Sequence, residues 1–222
     1  MDYLANDYLL LSMLSDHAVM SRPAVRAINS LQELSEVYRL THECYVKNEY
    51  AAPHSSGMLI HYPYFDHHSS TSILIARLHG KIVGSVSVTI DGPGGLTVDE
   101  DFKDVCDQSR VQGRQTAAVW RLVVDEEHRG QREIVIAMIR EVIRLLRKHN
   151  VQDCFFAVNP RHVAVYQKML NMEIVAEKPA THGLSNAPAI LLRGDPFSVP
   201  GRLAHTDHVA SPISMLLSIN PF

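Results

Sequence analysis

The stretch REIVIAMIREVIRLLRK constrains this chain more than any other. Ile134, Val135, Met138, Ile139, Val142, Ile143, Leu145 and Leu146 recur at helical spacing across Glu133–Lys148. Arg132, Arg140, Glu141, Arg144, Arg147 and Lys148 fall on the opposite side. A helix divided in this way must bury one face against another layer of structure. Thr116 to Val124 before it and DCFFAV after it are short apolar runs that read as buried strands, and Asn150 marks the helix stop. Strand, turn, helix and strand in this order predict a mixed α/β domain.

Further elements follow from local signals. Leu34, Val37, Tyr38, Tyr45 and Val46 make Leu31 to Tyr50 helix-like, and Pro53 to Ser70, rich in Gly, Pro and His, reads as a loop. SILIARLHGKIVGSVSVTI reads as two strands joined at His79-Gly80, where glycine supplies the positive φ of a tight hairpin. DGPGG at 91–95 is a second turn. NPRHVAVYQKML is a short helix with Asn159 as N-cap and Pro160 in its first turn, and MEIVAEK and AILLRG read as closing strands. The expected division is an N-terminal helical extension over 1–22, one domain over 23–195 and a C-terminal appendage over 196–222.

Composition narrows the function classes. A chain of 222 residues that is 46% hydrophobic can bury a substantial core, and a net charge of −3 argues against general nucleic-acid binding. Cys44, Cys106 and Cys154 lack metal-ligand spacing and suggest reduced thiols of a cytoplasmic protein. No His-x-x-x-His pair falls on the clear helices, so no metal is expected. The start MDYLANDYLLLSMLSD has no basic leader region, and its apolar run is shorter than the roughly 20 residues of a membrane span.

Three segments carry a resemblance: GKIVGSVSV, WRLVVDEEHRGQ with the helix after it, and NPRHVAVYQKMLNMEIV. Together they resemble the GNAT acyltransferase superfamily. Two longer runs, GLTVDEDFKDVCDQSRVQGRQTAAVWRLVVD and VNPRHVAVYQKMLNMEIVAEKPATHGLSNAPAILLRGD, resemble one branch of it. That branch is the long-chain N-acyl amino acid synthases, relatives of the acyl-homoserine-lactone autoinducer synthases. The resemblance covers roughly residues 30–195 and includes the branch's acidic helix after the Gly-Leu turn. Ala118 stands where the branch usually has glutamate, Trp120 where many members have serine, and Thr97 where a proline is common. What the resemblance implies is transfer of a long acyl chain from a thioester to the α-amine of an amino acid. The product lipid, rather than the chain itself, would be the link to a membrane. A coenzyme-A-dependent small-molecule N-acetyltransferase and a non-catalytic GNAT-like binding module are the alternatives.

Site residues follow from the same resemblance. GNAT enzymes hold a phosphate at the turn between the central strand and its helix, which here is HRGQRE. Val124, Arg129, Gly130, Gln131 and Arg132 would form that cradle, with Asn159 on the facing strand end. Only Gly130 is small, Arg132 takes the place of a second glycine, and Glu133 would repel a diphosphate. The single phosphate of an acyl carrier protein's phosphopantetheine therefore suits the turn better than coenzyme A, which remains the alternative donor. The basic stripe from Arg132 to Lys148 is a candidate docking face for the acidic carrier. Backbone N–H groups around Leu122–Val124, Val123 among them, would polarise the thioester carbonyl, and Tyr166 stands at the GNAT position that protonates the leaving thiolate. Arg121 would pair with an acceptor carboxylate or with an acidic neighbour inside the fold, and strand alternation predicts that Trp120 and Arg121 face opposite sides. Glu43, Asp66, His67, His68, Asp99 and Glu100 are the candidate general bases.

Overall fold

The computed structural model describes residues 23–181 and 187–204. Seven strands form one sheet: β1 (Ala24–Ala27), β2 (Thr71–Leu78), β3 (Lys81–Ile90), β4 (Thr116–Val124), β5 (Asp153–Val158), β6 (Glu173–Lys178) and β7 (Ala189–Gly194). Their spatial order is β1-β2-β3-β4-β5-β7-β6, antiparallel throughout except for the parallel pair β4–β5. The helices are α1 (Leu31–Lys47), α2 (Pro63–Asp66), α3 (Asp99–Val111), α4 (Arg132–Lys148), α5 (Val163–Leu170) and α6 (Gly201–Ala204). The α/β class and the hairpin agree with the sequence reading; His79 and Gly80 both have positive φ, 48° and 81°, as a two-residue hairpin turn requires.

Two elements were not legible. β1 pairs with β2 at the sheet edge, and α2 lies inside the stretch that reads as loop. α1 ends earlier than its apolar spacing suggests, at Lys47, because the chain turns at Glu49 with φ 61°. Its start is well specified. Ser30 accepts from the Glu33 amide at 3.2 Å, and the Glu33 carboxylate accepts from the Asn29 amide at 3.0 Å. Arg26 of β1 and Arg77 of β2 bind the same carboxylate, which pins α1 to the sheet edge and holds Glu33 well below the usual carboxylate range, at about 2.

The sheet is covered on both faces, so every residue of β4 is buried. Period-two alternation sorts the cores. Ala117, Val119, Cys154, Phe156, Ile190 and Leu192 join the cluster that holds the apolar face of α4, whereas Ala118, Phe155, Ala189 and Leu191 pack against Phe102 and Cys106 of α3. On α4, Ile134, Met138, Ile139, Val142, Ile143 and Leu146 are buried. Met138 lies so close to β3 that a Cβ at Gly84 would come within 3.0 Å of its Cε.

The segment after β7 begins the expected appendage and packs on the domain. Residues 195–204 lie along α4, and Leu203 is buried against Ile139 and Ile143. The expected N-terminal helix over 1–22 lies outside the described residues, as does 205–222 of the expected appendage. No helix among the described residues is long and apolar enough to cross a membrane.

Candidate active site

β4 and β5 pair at only three positions, Thr116 with Asp153, Ala117 with Cys154 and Ala118 with Phe155. Beyond them the strands part, and a cleft opens between Val119–Leu122 on one side and Phe156–Asn159 on the other. A bulge in β4 accompanies the parting. Ser87 is in register with Trp120 and Ser85 with Val123, so Arg121 and Leu122 together oppose Val86, and Arg121 has φ 51°. Bulges kink a strand and increase its twist, which carries the end of β4 away from β5.

The bulge overturns one expectation. Trp120 and Arg121 face the same side: the Arg121 guanidinium lies 4.6 Å from the Trp120 ring centroid. Trp120 Nε1 donates to Thr89 Oγ1 at 3.0 Å, and Arg121 Nη2 donates to Ser87 Oγ at 2.8 Å, both acceptors on β3. Alternation holds only for a regular strand, and the extra residue resets it. The Arg121 head is fully buried and forks onto Asp66 of α2 at 2.6 and 3.1 Å. Of the two readings of Arg121, the internal acidic partner is the one the structure displays, and Asp66, one of the candidate bases, is that partner. Asp99 is likewise engaged, accepting from the Leu96 amide at 2.7 Å and from Arg110 at 2.7 and 3.0 Å. Glu43, His67 and Glu100 are exposed, and His68 bonds Ser70 at 2.8 Å. Glu100 stands in the first turn of α3, near enough to help keep the half-buried Tyr62 phenol protonated, an effect that comes first from burial.

Tyr166 of α5 reaches the cleft. It is 3% exposed, packs edge-on to Phe156 at 4.9 Å between ring centroids, and burial raises its phenol pKa. Asn159 accepts from the Arg161 amide at 3.2 Å and opens the 3₁₀ turn Pro160–His162 that leads into α5, as an N-cap should. That turn carries a residue the sequence reading passed over. His162 lines the cleft, its Nε2 is 3.3 Å from Tyr50 Oη, and its Nδ1 is buried without a partner. Burial lowers its pKa to about 4, with help from the neighbouring Arg161, so the imidazole is neutral at pH 7. Arg161 donates to Tyr50 Oη and lies over that ring at 4.8 Å. Tyr45, His61 and Tyr62 complete an aromatic wall. The density of tyrosine and histidine between 45 and 68 was the available signal.

At the end of β4 the Asp125 amide donates to Val83 O at 2.8 Å. Alternation along this regular stretch turns the Val124 peptide groups away from β3, where the Val124 carbonyl accepts from Cys44 Sγ of α1 at 3.3 Å, and turns those of Val123 toward β3. The Val124 amide thus points away from β3, whereas that of Val123 points toward it. The turn then runs through the 3₁₀ segment Glu126–His128 to Gly130 and Gln131, which makes no side-chain cap on α4. First-turn amides of a helix have no intrahelical acceptor. A Cβ at Gly130 would meet nothing within 4 Å, so the protein's own packing does not demand glycine there. Arg129 pairs with Glu126 at 2.7 Å, while its Nε and Nη2 are buried without partners.

The expected basic stripe divides. Arg144 pairs with Glu141 at 2.5 Å on its own helix, and Arg147 donates to Pro196 O at 2.9 Å. Among the described residues, Asp125, Glu127 and His128 are the one close group of metal-ligating types. Lys81 sits 2.6 Å from Asp125, and that carboxylate also accepts from the Glu127 amide at 3.2 Å. The three cysteines are buried thiols, and burial raises their pKa values, Cys44 to about 11 and Cys106 and Cys154 to about 12.

A second cavity adjoins the cleft. It shares Val119, Leu122, Phe156 and Tyr166 with it and runs on between the sheet and α4, past Ile139, Val142, Ile143, Leu146, Cys154 and Met172. Its wall exposes no polar atom, and it is narrow, with a volume of about 60 Å³, below the roughly 300–1,000 Å³ of preformed ligand pockets.

This architecture has solved counterparts. The structure of FeeM, an N-acyl amino acid synthase from uncultured soil microbes, aligns at TM-score 0.69 and 20% identity, over 80% of this chain and 92% of that one. The acyl-homoserine lactone synthase LasI aligns at 0.59 and 12%, over 86% and 98%. BjaI, a coenzyme-A-dependent acyl-homoserine lactone synthase, aligns at 0.59 and 12%, over 82% and 86%. GNAT-family acetyltransferases share the fold as well. No curated protein sequence matches the chain. The sequence profile described as N-acyl amino acid synthase FeeM matches residues 36–195, a span that contains the parted strands, the turn and Tyr166. The chain belongs to the FeeM family of N-acyl amino acid synthases and is an N-acyltransferase built on the GNAT fold.

Proposed function

We propose that this enzyme moves a long-chain acyl group from an acyl carrier protein thioester to the α-amine of an amino acid. The observation that carries the reading is the apolar cavity joined to the cleft. Burying one methylene is favourable by about 0.8 kcal/mol, so a wall without polar atoms rewards a hydrocarbon chain that widens this narrow space over an acetyl group. The thioester carbon would lie where cavity and cleft meet, beside Val119, Leu122, Phe156 and Tyr166.

The reaction forms an N–C bond and breaks a C–S bond. An α-amine with pKa near ~8 is partly neutral at pH 7 and can attack directly. The Val124 amide, turned away from β3, would stabilise the oxyanion that develops. Tyr166, kept protonated by burial, would give its proton to the departing thiolate. The amine's surplus proton leaves to solvent or to a neutral group in the cleft. The aromatic wall around Tyr45, Tyr50 and Tyr62 would receive the acceptor, with Arg161 bringing a positive charge to that rim. Arg121, already paired with Asp66, would act as scaffold.

For the donor, the turn favours a single phosphate. Arg129 retains two unpartnered donors and Gly130 leaves open space, but Glu133 stands exposed in the first helical turn. The experiment is a donor comparison at equal concentration. Long-chain acyl carrier protein should turn over well and acetyl-coenzyme A poorly, with the N-acyl amino acid identified by mass spectrometry. Preference for acetyl-coenzyme A would overturn the reading; preference for long-chain acyl-coenzyme A would correct the donor alone.

A further inference from the structure

We propose that the C-terminal strap, residues 195–204, is the end wall of the acyl cavity and sets the longest chain the enzyme accepts. The inference deepens the reading above and rests on it for the identity of the occupant.

The family match ends at residue 195, where the strap begins. Pro196 and Val199 nevertheless line the apolar cavity, together with Asp195. None of these three lines the cleft, whereas Val119, Leu122, Phe156 and Tyr166 line both spaces. The strap therefore closes the end remote from the reacting carbon. A chain that enters beside Tyr166 and runs along α4 ends against Pro196 and Val199.

The strap is held firmly enough to act as a wall. Asp195 accepts from the Phe197 amide and from Ser198 Oγ, both at 2.8 Å, and the Ser198 amide donates to Asp195 O at 3.0 Å. Arg147 of α4 donates to Pro196 O at 2.9 Å, and its guanidinium lies 5.7 Å from the Phe197 ring centroid. At the far side Leu203, 6% exposed, packs on Ile139 and Ile143. Two attachments to α4 thus bracket Val199, which is only partly buried.

The test is binding of saturated fatty acids from C8 to C18, read by displacement of a fluorescent fatty acid, alongside N-acyl product formation from carrier thioesters of the same lengths. Each methylene that finds apolar cover should add about fourfold in affinity, and the gain should stop at the length where the chain meets the strap. Val199→Trp should bring that stop down by two or more carbons, and Val199→Ala should move it up. A stop that stays put in both folded variants overturns the proposal, as does affinity that never levels off. Val199→Ala keeps the test decisive if the tryptophan variant does not fold. A length limit that moves with Val199, without any N-acyl amino acid formed, would uphold the wall and overturn the proposed reaction.

Discussion

The two ends of β4 are both buried, yet they behave oppositely. At its start the strand is sealed. Thr116–Ala118 pairs with β5, Arg114 forks onto Asp153 at 2.6 and 2.7 Å, and the Gln152 amide donates to Gln115 O at 2.8 Å. Asp91 accepts from Thr116 Oγ1 at 2.5 Å and from Arg110 at 2.6 and 3.2 Å. At its finish the strand has lost β5 and holds instead a bulge, a buried ion pair and an aromatic wall. A sealed end meets its polar groups with local partners, whereas an opened end leaves room for a substrate to meet them. The difference explains why polar side chains at the start of β4 are engaged while Arg129 and His162 retain buried nitrogens without partners.

The largest test of this contrast is Asp66→Ala. It would leave the fully buried Arg121 head without its counter-charge, and breaking a buried pair costs ~3–5 kcal/mol. Urea unfolding should register that loss. If stability stays within ~1 kcal/mol, the open end is not built on the pair. The double replacement Asp66→Leu with Arg121→Met should recover most of it, because an apolar pair of similar volume removes the desolvation cost.

Next in size is Tyr166→Phe. A phenol is a reluctant donor to a thiolate, whose own conjugate acid has pKa near 8.5, so the help should be about 10²-fold or less in kcat. The donor KM should hardly move, the signature of an interaction made in the transition state. An unchanged kcat would make Tyr166 a packing residue of the closed kind.

Acid stability sharpens the comparison through His162. Its folded pKa of about 4 lies below the ordinary 6.5, so between these values the unfolded chain binds a proton that the folded chain refuses. Stability is then complete above pH 6.5 and falls as pH drops toward 4, by roughly 1–3 kcal/mol. His162→Gln should flatten this part of the pH profile. Equal slopes for the two proteins between pH 6.5 and 4 would show that the cleft imidazole is not held neutral.

The smallest effect concerns docking. Arg132→Glu should raise the KM for acyl carrier protein about tenfold at low salt, less at high salt because exposed charges are screened. Arg144→Glu should do little, since Arg144 already answers Glu141. Equal effects would restore the full stripe as the docking face.

Most of the architecture was legible because its signals are local. The apolar periodicity of α4, the His79-Gly80 turn and the Asn159 cap each depend on neighbours in the chain, and each appears in the fold. The placement of candidate residues was legible in proportion to its dependence on backbone. The positions of the candidates Gly130, Val124, Asn159 and Tyr166 at a turn, a strand end, a helix cap and a helix follow from local signals, whatever their roles. Residues whose roles depend on distant partners were not. Asp66 belongs to a stretch without periodicity and meets Arg121 across 55 positions, and His162 meets Tyr50 across 112.

By itself the sequence determined the α/β class, the amphipathic packing helix, the turn that opens it and the family resemblance, since each is written in spacings of a few residues. Only the tertiary structure decided that β4 parts from β5 after three pairs and that a bulge puts Trp120 and Arg121 on one side. It also decided that Arg147 holds the strap over the apolar cavity. The physical reason is common to all three. Alternation and periodicity say which side of its own element a residue occupies, but a bulge, a splay or a buried ion pair is settled by what the neighbouring elements present. That information is spread over positions far apart in the chain.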